Sequence, residues 1–247
     1  MIPKKIILLG IIGAVGGAVA VSFSGAAGSS MAKRYPQVNK FDFYLLSTQW
    51  IPGWCEAGTG QSGADLDQIK SCQQQASKPL MFHGLWPEYK DGSYPSNCSE
   101  VPDLKSDSLD FENPYRNYLT NSNRFINHEW AKHGTCSNYY SAGLESSNSS
   151  LYYQNVNRYF NDGLRQYQKI AYSTLKMETT AAEIRTMLHV QNPQIPESSI
   201  LVICDGNDSE KYLTGLWFCM DKKVDKFVDC PEVLIRKNTC SATILTR

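Results

Sequence analysis

Two short stretches, Phe82-His83-Gly84-Leu85-Trp86-Pro87 and His128-Glu129-Trp130-Ala131-Lys132-His133-Gly134-Thr135-Cys136, hold three of the four histidines in the chain and two of its five tryptophans. Imidazole is the side chain that both takes and gives a proton near neutrality. On a helix, residues three and four apart share a face. The second stretch, read as a helix, brings Glu129, Lys132 and His133 to one side, with His128 four residues from Lys132. His83 would face them from a separate strand. Such a set suits transfer at a phosphodiester that has a ribose 2′-hydroxyl beside it. A base takes the 2′ proton, the oxygen attacks phosphorus, and an acid protonates the leaving 5′ oxygen. A cation meets the charge that builds on the phosphoryl oxygens. DNA lacks the internal nucleophile and would be spared.

Other chemistries fit less well. The zinc-peptidase motif sets two histidines four apart on a helix. Here His128 and His133 are five apart, which turns them about 140° from each other. No two cysteines have the close spacing of a zinc knuckle. No metal and no other cofactor is expected. A single histidine beside a tryptophan is commonly structural, and His189 reads as an ordinary helix-end residue. Three of four in two motifs is harder to assign to packing alone. Trp86, three residues after His83, is expected to wall the cleft and stack a base. Trp130 reads as core.

The elements that must position these residues follow from local pattern. Phe41–Ser47 reads as a buried strand, and Pro79–Leu85 as a short strand that carries the first motif. Gly58–Gln75 reads as loop, and Pro87–Pro102 as turn-rich, with Asp91-Gly92 as punctuation. The second motif reads as a helix that Gly134 caps. Ser141–Ser150 reads as a surface loop, followed by helices over Tyr152–Ile170 and Thr180–His189. Thr180 and Glu183 have capping-box spacing. Ser199–Cys204 and Leu216–Met220 read as core strands. The pattern is α+β in a single domain.

The formal net charge is zero over 247 residues, so no general basic field holds long nucleic acid. A polyanion would have to be bound locally. Lys4 and Lys5 precede an uncharged run, Ile6–Phe23, and then small residues. That is the order of a secretory signal over residues 1–28, with a retained anchor as the alternative. Its removal would leave the chain faintly acidic. Eight cysteines behind a signal read as disulfides formed in an oxidising compartment. Eight allow 105 pairings, and spacing fixes none of them. Asn97, Asn148 and Asn207 each open an N-glycosylation acceptor pattern.

The two motifs resemble the signature segments of the ribonuclease T2 family, secreted acid ribonucleases that include plant self-incompatibility ribonucleases. The resemblance extends from about Phe41 to Cys240. It implies His133 as general base, His83 as general acid and His128 as a phosphate contact. Glu129 and Lys132 would stabilise the phosphorane-like state. Trp86, Glu88 and Tyr94 would bind one base, Glu88 standing where many members carry Asp. Phe125 and Gln49 would line a second base pocket. The implied pairings are Cys98–Cys136, Cys204–Cys240 and Cys219–Cys230, which leaves Cys55–Cys72. The implied fold is α+β, a central antiparallel sheet with packed helices, stabilised by disulfides, over residues 36–245. The implied activity is metal-independent cleavage of single-stranded RNA through a 2′,3′-cyclic phosphate at acidic pH. The expected chain is a monomer with RNA as its partner. It is secreted or held in a lysosomal or vacuolar lumen, with no stable membrane association once the signal is gone. A secreted binding or signalling protein of the same fold, acting without catalysis, is the alternative.

Overall fold

In the computed structural model, the described residues are 38–57, 72, 78–119, 122–143, 149–207, 210–236, 239–240 and 242–246. The signal reading over 1–28, most of the Gly58–Gln75 loop, Asn148 and Ser209 lie outside them. The described residues all belong to one compact unit.

The scaffold is a six-stranded sheet with helices packed on it. β1 (Phe43–Trp50) lies between β2 (Leu80–Glu88) and β5 (Lys211–Met220), and both pairings are antiparallel. β4 (Ile200–Gly206) pairs antiparallel with the other edge of β5. Two short strands complete the sheet: β3 (Glu178–Thr179) pairs antiparallel with β6 (Ile244–Leu245). The sheet is mixed rather than wholly antiparallel, because β6 meets β5 in parallel at Tyr212 and Leu245. The helices are α1 (Ile51–Glu56), α2 (Ser122–Lys132), α3 (Ser150–Tyr167), α4 (Ala181–Gln191) and α5 (Glu232–Arg236).

β1 is buried along nearly its whole length, as its aromatic, β-branched and leucine content requires of a central strand. The main core gathers Tyr44 and Leu46 of β1 and Phe82 and Leu85 of β2 with Ile126 and Trp130 of α2 and Val156, Tyr159 and Phe160 of α3. A second cluster joins Phe43, Leu45, Leu201, Cys219 and Cys230, with Trp86 and Trp217 packed against it. Trp130 is fully buried, and its indole N–H donates to the Tyr152 hydroxyl at 2.8 Å. The Thr180–Glu183 capping box is formed and starts α4. Helix α3 is capped by Ser149, whose side chain accepts from the Tyr152 N–H.

Three local readings change. The first-motif strand runs on through Trp86 and Pro87 to Glu88, where the sequence pattern reads as turn. β2 is an edge strand, where a proline is tolerated. The second-motif helix begins at Ser122 and ends at Lys132, so His133 lies just past its end. Gly134 does not cap it in a left-handed conformation but opens a 3-10 turn, Gly134–Cys136. Its smallness is needed for packing instead: a Cβ there would stand 2.1 Å from the Trp130 ring.

Candidate active site

His83 occupies a break in the β1–β2 ladder. Ser47 pairs with Gly84 and Thr48 with Phe82, which leaves His83 without a cross-strand partner. A bulge of this kind re-aims a side chain and frees backbone groups. The freed His83 carbonyl accepts from the Tyr115 hydroxyl at 2.8 Å. The ring then points at α2, where Nε2 lies 3.3 Å from Glu129 Oε1. Nδ1 lies 3.2 Å from Gln49 Oε1. Phe125 packs on one side of the ring and Trp86 on another, each with centroids 5.0 Å away.

Glu129 is 1% exposed and is the hub of the site. Its Oε2 accepts from the Trp86 indole N–H at 2.8 Å. Burial alone would raise its pKa. The His83 charge and hydrogen bond, the His133 charge and the Trp86 N–H outweigh that and hold it down to about 2. The close approach of these groups depends on Gly84, where a Cβ would stand 2.1 Å from Glu129 Oε2 and 2.7 Å from Trp86 Nε1.

His133 is the complement of His83. Its amide N–H still bonds to the Glu129 carbonyl at 3.0 Å, which keeps it on the helix face that carries Glu129. The ring stacks on Trp86, centroids 4.9 Å apart and planes 18° from parallel, and only 3% of the residue is exposed. Neither ring nitrogen has a hydrogen-bond partner. Burial lowers its pKa, Glu129 opposes that, and Lys132, His83 and His128 lower it further, to about 3. The ring is therefore neutral across the working range of most proteins. Both histidines flank one indole, so they stand no farther apart than those two centroid distances combined. His128 sits one turn before Lys132 on the exposed side of α2, 6.5 Å from Phe125. Desolvation pushes its pKa down, Glu129 opposes this, and Lys132, His83 and Arg124 add to the lowering.

The disulfides brace this arrangement. Cys98–Cys136 ties the segment after β2 to the turn after α2. Beside it, the Asn97 N–H donates to the Lys132 carbonyl at 2.9 Å and the Cys98 N–H to Thr135 Oγ1 at 3.0 Å. The other bonds join Cys55 to Cys72, Cys204 to Cys240 and Cys219 to Cys230.

The residues named from the sequence divide into two groups. His83, Trp86, Phe125, His128, Glu129, Lys132, His133 and Gln49 are brought together. Glu88 ends β2 and is 5% exposed. Tyr94, 53% exposed, lies in the following loop and takes no part in the ring contacts around the histidines. Asn97 and Asn207 are exposed. His189 binds the Ile195 carbonyl through Nδ1 at 2.8 Å and belongs to the scaffold. Three contributors were not visible in the sequence. Tyr115 holds the bulge, Thr214 anchors Gln49, and Trp217 meets Trp86 edge-on at 5.2 Å. Each comes from a distant part of the chain, and no short motif marks them. Among the described residues, no three His, Cys, Asp or Glu side chains converge as a metal site would require.

The α+β scaffold presents two histidines and a buried carboxylate around one indole, with Lys132 three residues beyond the carboxylate on α2, a set of groups suited to acid–base chemistry. The model of the ribonuclease T2 family matches residues 41–230. The chain belongs to that family. Ribonuclease 3 of Arabidopsis thaliana is 30% identical over 212 residues, spanning 77% of this chain and 83% of that protein. Intracellular ribonuclease LX of Solanum lycopersicum is 29% identical over 210 residues, spanning 77% and 78%. Among solved structures, ribonuclease MC1 from bitter gourd seeds superposes with a TM-score of 0.55 at 18% identity, covering 83% of this chain and 100% of that one. That likeness supports the fold.

Proposed function

We propose that this chain is an endoribonuclease that cleaves single-stranded RNA by attack of the ribose 2′-hydroxyl on the adjacent phosphodiester. The observation that carries the reading is the contrast in the surroundings of the two imidazoles. His133 is buried, neutral and unpaired at both nitrogens. A buried polar group without a partner is rare and calls for a functional explanation. Here the partner is the incoming 2′-hydroxyl, whose proton His133 takes as the 2′-oxygen bonds to phosphorus. His83 faces a carboxylate through Nε2 and an amide oxygen through Nδ1, surroundings that suit a ring carrying both protons. His83 passes the Nε2 proton to the 5′ oxygen as the P–O5′ bond breaks. The products are a 2′,3′-cyclic phosphate and a free 5′-hydroxyl. Hydrolysis of the cycle with the two roles exchanged leaves a 3′-phosphate. His128 and Lys132 meet the phosphoryl oxygens, and no metal enters the scheme.

Arg124, His128 and Lys132 recur every four residues along α2, about 6 Å apart per step. That spacing suits a ribose-phosphate backbone running along the helix. Phe125, Trp86 and Tyr94 supply faces on which bases stack, with Glu88 at the end of β2 as the polar partner. The family resemblance and the signal-like N-terminus support a secreted or lysosomal-vacuolar protein, with Asn97, Asn148 and Asn207 as glycosylation acceptors. Among the described residues no helix is long and apolar enough to cross a membrane.

Digestion of bulk RNA by the oxidised protein in EDTA, at mildly acidic and neutral pH, tests the reading. Cleavage is expected, and intact RNA at both pH values would reject it.

A further inference from the structure

We propose that Gln49 is a positioning residue for His83, bridging two β-bulges so that the proton on Nε2 is the one His83 donates. The inference rests on the reading of His83 as the general acid.

Gln49 lies in β1, opposite Met81 of β2 and Gly215 of β5. Both neighbouring strands are irregular at this level. In β2, the bulge leaves His83 without a ladder partner. In β5, Ile203 pairs with Gly215 and Cys204 with Leu213, which leaves Thr214 as the skipped residue. The half-buried Gln49 side chain reaches both irregular sites. Its Nε2 donates to the Thr214 carbonyl at 2.6 Å, and its Oε1 lies 3.2 Å from His83 Nδ1.

This fixes the orientation of the amide. A backbone carbonyl only accepts, so the –NH2 end of Gln49 must face Thr214. The oxygen end must then face His83, and Nδ1 must carry a proton to bond to it. With Nδ1 committed as a donor, the proton available for transfer is on Nε2, the nitrogen facing Glu129 and the cleft. A neutral ring with its only proton on Nε2 would leave Gln49 Oε1 facing a lone pair. After His83 has given its Nε2 proton to the 5′ oxygen, the remaining Nδ1–H still satisfies Gln49. The ring therefore holds its place through the transfer and can accept a proton from water in the second step. Base recognition by this amide would compete with both existing bonds.

The test compares Gln49→Met, close in volume but unable to form either bond, with the unaltered chain on two substrates. One is a dinucleoside monophosphate, whose 5′ alkoxide needs a proton to leave. The other is a nucleoside 3′-(p-nitrophenyl phosphate), whose phenolate leaves without one. The proposal expects kcat on the dinucleotide to fall about 10- to 100-fold, with KM changed less than about 2-fold. On the nitrophenyl ester, kcat should fall less than about 3-fold. Equal losses on both substrates, or a loss confined to KM, would overturn it; the second result would return Gln49 to base binding. Nitrogen-15 NMR of the unaltered chain provides an arm independent of turnover and of the variant's folding. A His83 Nδ1 that carries a proton supports the proposal, and a bare Nδ1 overturns it. Failure of the unaltered chain to cleave RNA would reject the ribonuclease reading, while the NMR arm still decides the hydrogen bond.

Discussion

Glu129 Oε1 and His83 Nε2 stand 3.3 Å apart, joining a buried helix residue to the bulged residue of an edge strand. The carboxylate is also bound by Trp86. It thereby sets the orientation of His83, the proposed acid, of the indole and, through that indole, of His133, the proposed base. Removing its charge should slow the chemical step far more than it weakens RNA binding. Glu129→Gln keeps the shape and is expected to lower kcat about 10²-fold with KM changed less than about 3-fold. Steady-state kinetics on a dinucleotide checks this, and an effect mainly on KM would contradict it.

The two histidines should fail differently. His83→Ala and His133→Ala should each lower turnover of RNA about 10²–10⁴-fold. A substrate with a nitrophenolate leaving group should restore most of the rate to His83→Ala and little to His133→Ala, because in the proposed reaction only His83 serves the leaving group. Restoration of both variants, or of His133→Ala alone, would reverse or remove the assigned roles.

The pH dependence of stability has a defined sign. An unfolded histidine titrates near 6.5, whereas His133 is held down to about 3 in the fold. Between those values the unfolded chain binds a proton that the folded chain does not, so stability falls as pH drops. Glu129 acts in the same direction from its ordinary 4.5 down to about 2. Each proton contributes a slope of up to about 1.4 kcal/mol per pH unit. His133→Phe removes one of these protons. Its melting temperature should therefore decline less than that of the unaltered chain between pH 6.5 and 4. Parallel declines would show that His133 is not held neutral. The same neutrality keeps the base competent in acid, so kcat should persist at pH values where an ordinary histidine is protonated.

Gly84 carries a steric prediction. A methyl carbon there would stand 2.1 Å from Glu129 Oε2 and 2.7 Å from Trp86 Nε1, well inside van der Waals contact with both. Gly84→Ala should separate that pair and lower kcat about 10-fold or more while the far-ultraviolet spectrum is unchanged. Full activity would mean that the Trp86–Glu129 bond is dispensable.

What could be read in advance follows from the range of each interaction. Glu129, Lys132 and His133 share a helix face, and helical spacing reveals that from eight or so residues of sequence. The Thr180 capping box is equally local. The role of Gln49 depends on Thr214, 165 residues away, and on a skipped pairing in β5. The His83 bulge likewise depends on the register against Ser47 and Thr48. Pairing registers are tertiary, and no spacing within one strand specifies them. Gly134 shows the opposite error. Its position after a helix suggested a cap, but the Trp130 ring beside it is what excludes a side chain.

The proposed reaction turns on attack by the neighbouring 2′-oxygen under the control of His133 and His83. A DNA oligonucleotide with one internal ribonucleotide, incubated with the protein in EDTA, isolates that event. A single cut is expected, immediately 3′ of the ribonucleotide, with a 2′,3′-cyclic phosphate on one product and a 5′-hydroxyl on the other. Cuts at deoxynucleotides, or a product with a 5′-phosphate, would contradict it.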